Sequence, residues 1–319
     1  MKTLPRALPP GLLTVGAVCC SVFAWASAFV SIRSAGAAYS PGALALGRLL
    51  AASLVLVVLL LLRREGLPPR GARRGVLVSG IVWFAGYTVA LNWGERLVDA
   101  GTASLLVNTG PILMALLAAR LLGEALPPRL LAGMAVSFAG AVVVGLSMSS
   151  GGDGSTSLLG VALCLLAAVA YATGVVVQKP ALSFGTPLQI TAYSCLVGAV
   201  ACLPFTGRLV AEIPRAPLSA TLNMVYLGVV PTALAFTTWT YALARMPAGK
   251  LGATTYAVPA IVVLLSWILL GEVPAWLTLL GGLLCLAGVA VSRSRPRARR
   301  DPAVRADGAA PGAPATPGR

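Results

Sequence analysis

The chain has no histidine among its 319 residues. That excludes His-dependent nucleophilic triads, haem ligation through imidazole and His-based metal sites. Charge is scarce as well. Asp, Glu, Lys and Arg make up 10% of the residues, against about a quarter in soluble domains. Only nine are acidic, and none sits in the middle of an apolar run. A relay of buried carboxylates and an intramembrane acid–base enzyme therefore both lack their parts. Aromatic residues are 6%, so the 58% hydrophobic content comes mainly from Ala, Leu and Val. The six cysteines lie inside apolar runs without metal-ligand spacing and read as packing residues. No phosphate-binding Gly-x4-Gly-Lys-Ser/Thr loop is present. Neither a cofactor, a metal ion nor a catalytic residue is expected.

Long apolar stretches fill the space left by these absences. Ten are long enough to cross a bilayer, at about 11–31, 41–62, 75–93, 101–120, 129–148, 158–178, 187–206, 219–241, 249–270 and 275–292. Short Gly-, Pro-, Arg- or Asp-rich segments separate them, such as Gly151-Gly152-Asp153-Gly154-Ser155. Exposed irregular backbone is not tolerated in lipid. The expected fold is an all-α polytopic membrane protein with ten transmembrane helices. A β-barrel would alternate polar and apolar residues, and these runs are continuous. The first run follows Lys2 and Arg6 as a signal peptide would, but it continues to Ile32 and has a counterpart later in the chain.

The basic residues give orientation. With the N-terminus inside, 19 of the 24 Lys and Arg fall on the inner side and four on the outer side, leaving Arg48 within a span. This predicts cytoplasmic residues 1–10, an external linker at 149–157 and a disordered basic cytoplasmic tail at 293–319. Loop placement of the charge argues against nucleic acid as a partner and for the lipid bilayer. A bacterial inner membrane is the expected location, from the GC-rich residue usage. Oligomeric state is not legible.

An internal duplication is the most informative pattern. Moving residues 100–143 forward by 148 places Pro111 on Pro259, Leu121-Leu122-Gly123-Glu124 on Leu269-Leu270-Gly271-Glu272, Gly133 on Gly281 and Gly140 on Gly288. A shift of 146 places Ala24-Trp25-Ala26-Ser27 on Ala170-Tyr171-Ala172-Thr173, Pro41 on Pro187 and Arg48 on Ser194. Residues 11–148 and 158–292 thus read as two five-helix repeats. Five spans is an odd number, so the halves enter the membrane inverted, as in many secondary transporters. Ten spans, the Pro41…Arg48 pattern and the twice-occurring Pro…Leu-Leu-Gly-Glu block resemble the EamA family of the drug/metabolite transporter superfamily. The resemblance covers about 11–292. It implies a ten-helix bundle around a central cavity and export or uptake of small metabolites.

Polar groups at membrane depth are costly and mark candidate sites. Arg48 could grip an anionic group in a bidentate fork, or snorkel to the interface. Trp25 and Ser27, with their repeat mates Tyr171 and Thr173, suit a cavity between halves. Asn92 lies near the outer end of the third span. Asn108-Thr109-Gly110-Pro111 and Thr254-Thr255-Tyr256-Ala257-Val258-Pro259 are matched helix breaks. Asn108 and Tyr256 are the preferred contacts there, with Pro111 and Pro259 making the breaks. Glu124 and Glu272 end spans four and nine, as gates or as turn structure. The function expected is a secondary transporter moving a small metabolite, an amino acid or related compound, outward by alternating access. The alternatives are a multidrug exporter or an importer of the same fold, or a non-transport scaffold or sensor.

Overall fold

The computed structural model describes residues 10–98, 103, 106–149, 157–270 and 276–293. All regular structure among them is helical. In chain order the helices are α1 (Pro10–Gly36), α2 (Pro41–Arg63), α3 (Arg70–Gly94), α4 (Gly110–Leu122) and α5 (Pro128–Ser149). The second half gives α6 (Leu158–Ala181), α7 (Pro187–Ala201), α8 (Leu218–Leu243), α9 (Ala248–Ala253, a 3₁₀ turn Thr254–Tyr256, then Ala257–Leu270) and α10 (Trp276–Arg293). Proline opens α2 and α7 in the first turn, where its missing N–H costs no helical bond. Gly123 closes α4 at φ 67°, a left-handed turn that folds Glu124 back beneath the helix.

By length and apolarity, five helices among the described residues can cross a membrane alone: α1, α2, α3, α6 and α8. α7 makes a sixth if its continuation Leu203–Arg215, bent from it by 49°, is included. The bend follows Pro204, which cannot donate into the preceding turn. α4, α5 and α10 are shorter apolar helices. The run read as a straight span over 187–206 is therefore broken near its end, and span nine is interrupted at 254–256. Large apolar side chains such as Leu54, Leu61, Leu62 and Leu158 point outward, 69–83% exposed. Water would penalise such a surface, whereas hydrocarbon does not.

The packing carries the duplication into space. α5 and α10 lie antiparallel in the most extensive helix contact. Gly133 meets the backbone of Gly288, and Gly140 meets that of Gly281. Between them the Ser137 hydroxyl donates to the Cys285 carbonyl at 3.0 Å, and the Cys285 thiol donates to the Ser137 carbonyl at 3.4 Å. Each of these contacts is the other's repeat mate. The same relation holds elsewhere: α1 packs on α8 as α6 packs on α3, and α2 packs on α7. Both α3 and α8 carry a π-helical stretch, Gly80–Tyr87 and Gly228–Leu234, beginning at matched glycines. Gly80 sits against the Ser194 carbonyl and Gly228 against that of Arg48. Two halves related by an approximate two-fold therefore meet along α2–α7, α4–α9 and α5–α10.

Candidate functional site

Arg48 is buried on the second turn of α2, 5% exposed. Its Nε donates to the Thr232 hydroxyl at 2.5 Å. That hydroxyl donates in turn to the Leu227 carbonyl at 2.8 Å, five residues back along the π-helical part of α8. The wide turn frees the carbonyl, and Thr232 links it to the arginine. A guanidinium has five N–H donors. Among the described residues the other four of Arg48 make no hydrogen bond. Tyr87 and Glu95 of the third-helix region and Cys195 of α7 lie within its electrostatic reach. A charge in this setting is one that hydrocarbon would strongly disfavour without an anion or water to meet it.

Beside the arginine stands an aromatic cluster from four helices. Trp25 of α1 packs on Trp239 and Phe236 of α8, with ring centroids 4.7 and 5.6 Å apart. Trp83 of α3 contacts Phe236 at 4.6 Å and Tyr171 of α6 at 5.9 Å. Tyr171 also approaches Tyr87 and Trp239. The Trp25 indole N–H donates to the Pro231 carbonyl at 3.1 Å, next to Thr232. Within this cluster the Trp239 Nε1 is buried with no hydrogen-bond partner. The Tyr171 hydroxyl lies beside Thr255 without a well-formed bond. Unsatisfied buried polar atoms are rare, and each one calls for a partner.

The structure brings some of the sequence candidates together and separates others. Trp25, Tyr171 and Arg48 border one interior region through Tyr87 and the Trp25–Pro231–Thr232 connection. Asn108 and Tyr256 are repeat mates and meet directly: the Tyr256 hydroxyl donates to the Asn108 carbonyl at 3.0 Å. α4 starts only after a turn at Asn108–Thr109, with Pro111 in its first turn and Gly110 against the Tyr171 ring. Pro259 follows the 3₁₀ turn of α9 by three residues. Ser27 faces away from the cluster and shares a hydrogen bond of 2.7 Å with Tyr226. Thr173 is half-buried, with no hydrogen bond among the described residues. Asn92 serves α2, donating to the Pro41 carbonyl at 3.2 Å.

Glu124 lies where three helix ends converge. Its carboxylate pairs with Lys179 at the end of α6 and accepts from the backbone N–H groups of Ala248 (2.9 Å) and Gly249 (3.2 Å), which open α9. Lys179 donates further to the Met246 carbonyl at 2.9 Å. Burial alone would raise the Glu124 pKa, but the hydrogen bonds from Lys179, Ala248 and Gly249 outweigh it and hold the carboxyl below its ordinary range. Glu272 falls outside the described residues.

Sequence reasoning missed Thr232, Trp83, Phe236 and Trp239. A signal existed for one of the tryptophans. Trp83 falls in the middle of its apolar run, whereas interfacial belts put tryptophan at span ends; Trp239, close to the end of its run, carried no such signal. Trp93, at the end of the third run, is 47% exposed.

A helical bundle with an apolar exterior, two halves related by an approximate two-fold, and a buried cation among aromatic rings defines a multi-pass membrane transporter. The chain belongs to the EamA-like transporter family, which residues 12–146 and 158–294 match separately. It is 36% identical over 293 residues to a probable terminal-alkyne amino-acid exporter of Streptantibioticus cattleyicolor, covering 90% of this chain and 95% of that one. It is 33% identical over 265 residues to the uncharacterized transporter YdfC of Bacillus subtilis, covering 83% and 86%. A crystal structure of a protein 24% identical superposes with a TM-score of 0.72 over 89% of this chain and 96% of that one, a likeness of fold.

Proposed function

We propose that this transporter exports a small amphipathic carboxylate, an amino acid or a close relative, by alternating access of its two inverted repeats. The observation that carries the reading is the four unspent N–H donors of Arg48 beside a seven-ring aromatic cluster. Arg48 would take the carboxylate in a two-pronged hydrogen bond. Trp25, Tyr171 and Trp239 would cover the apolar part, with the Trp239 N–H as an additional donor. Asn108 and Tyr256, at the matched breaks, would line the path. Outward movement and the amino-acid class have support from the exporter relative. Ten spans with both termini cytoplasmic, in a bacterial inner membrane, fit the even helix pattern and the Lys/Arg distribution.

The test is ligand-dependent thermal stability of the detergent-purified protein, over amino acids, organic acids, nucleosides and cationic drugs. A ligand that binds only the folded state raises the midpoint by mass action. Carboxylates should raise it, and Arg48→Ala should abolish the rise while the apo protein stays folded. A rise with cationic drugs alone, kept in Arg48→Ala, would move the reading to a multidrug exporter with a structural Arg48.

A further inference from the structure

We infer that Glu124 and Lys179 form the latch that seals one mouth of the bundle, the one the basic residues assign to the cytoplasm. The inference rests on the alternating-access reading but concerns a site remote from Arg48. Three elements from both halves end at this point: α4 of the first repeat, and α6 and α9 of the second. Glu124 alone ties all three, accepting from Lys179 and from the Ala248 and Gly249 N–H groups. Lys179 adds a second tie, to the Met246 carbonyl in the α8–α9 turn. These residues border an open groove with Leu122 and Arg245. Arg245 is otherwise engaged, its guanidinium 3.5 Å above the Tyr241 ring.

The chemistry suits a reversible closure. Glu124 and Lys179 are 13% and 24% exposed, so water reaches the pair and each ion can be rehydrated when it parts. A fully buried pair would be far harder to open. The hinge elements are close by: α9 is interrupted immediately above, at Thr254–Tyr256, and Pro180 lies within the last turn of α6. Contacts of α2 and α7 differ in this respect. The Ser40 amide and hydroxyl hydrogen-bond to Glu212, and Thr186 donates to Glu65, so this helix pair is tied at both of its ends. Among the described residues, the Glu124 cluster is the charged tie that joins α4 to α6 and α9.

The experiment uses the full chain in lipid vesicles, with the exposed Cys19 and half-exposed Cys20 replaced by serine. Ala118→Cys puts a thiol on α4 behind the latch, at a position 0% exposed. Ala43→Cys puts one at the far end of α2, also 0% exposed. A membrane-impermeant maleimide is applied from each side. Glu124→Gln and Lys179→Met should each speed Ala118→Cys labelling about tenfold or more and leave Ala43→Cys labelling unchanged or slower. Glu124→Gln keeps one acceptor oxygen for Ala248 and loses the bond from Gly249, which meets the other carboxylate oxygen, whereas Lys179→Met leaves both backbone bonds intact. An effect shared by both variants therefore reports the ion pair. Unchanged Ala118→Cys labelling would overturn the latch, as would equal acceleration at both positions, which is loss of stability. Because labelling needs no substrate, a failed ligand screen would count against the proposed function and not against the latch.

Discussion

Thr232 connects the two unusual features of the site, since its hydroxyl both accepts from Arg48 and donates to the Leu227 carbonyl. Thr232→Val keeps the shape and removes both roles. It should destabilise the protein by about 1–3 kcal/mol, the usual cost of stranding buried polar groups. Thr232→Ser should recover most of that loss, as read by thermal or denaturant unfolding in detergent. At this scale the sequence was only partly legible. Arg48 stood out because a lone charge in an apolar run has few explanations. Thr232 did not, because a threonine can satisfy itself on its own helix, as Thr237 does with the Ala233 carbonyl. Lys179 was read as a marker of orientation, and only the folded chain puts it on Glu124.

Helix pairs rather than single helices hold the bundle together, and α5–α10 depends on four glycines that meet in two close contacts. A Cβ on Gly140 would lie 2.6 Å from the Gly281 carbonyl and the Cys285 amide. Gly140→Val should therefore force the pair apart and cut the yield of monodisperse protein by more than half on size-exclusion chromatography. Gly16 of α1 has nothing within 4 Å of its missing Cβ. Gly16→Ala should leave the unfolding midpoint unchanged or raise stability by up to about 1 kcal/mol through helix propensity. The element pattern itself was well marked in sequence, because apolar runs and prolines act locally. The matched breaks at Asn108–Thr109 and Thr254–Tyr256 fell beside the prolines that announced them. The π-helical stretches of α3 and α8 carried no such mark. They arise where Gly80 and Gly228 let another helix's backbone come close, a contact no linear pattern displays.

For the molecule as a whole, pH should matter little near neutrality. The Glu124 carboxyl is held below its ordinary range, so its contribution is fully present above the usual carboxylate pKa and is lost as pH falls through the depressed one. The difference in unfolding midpoint between the parent chain and Glu124→Gln should stay constant from about pH 6 to 8 and shrink below about pH 4. A difference that changes across neutrality would instead mark Glu124 as a proton carrier. The α5–α10 contact has an older implication. Ser137 bonds to Cys285 and Cys285 back to Ser137, and each is the other's counterpart in the duplication. A surface that recognises its own copy upside down is complete before any gene fusion takes place. A half-length ancestor, inserted in both orientations, could have assembled this bundle from two identical chains. On that view the linker between the halves came later than the contact they share.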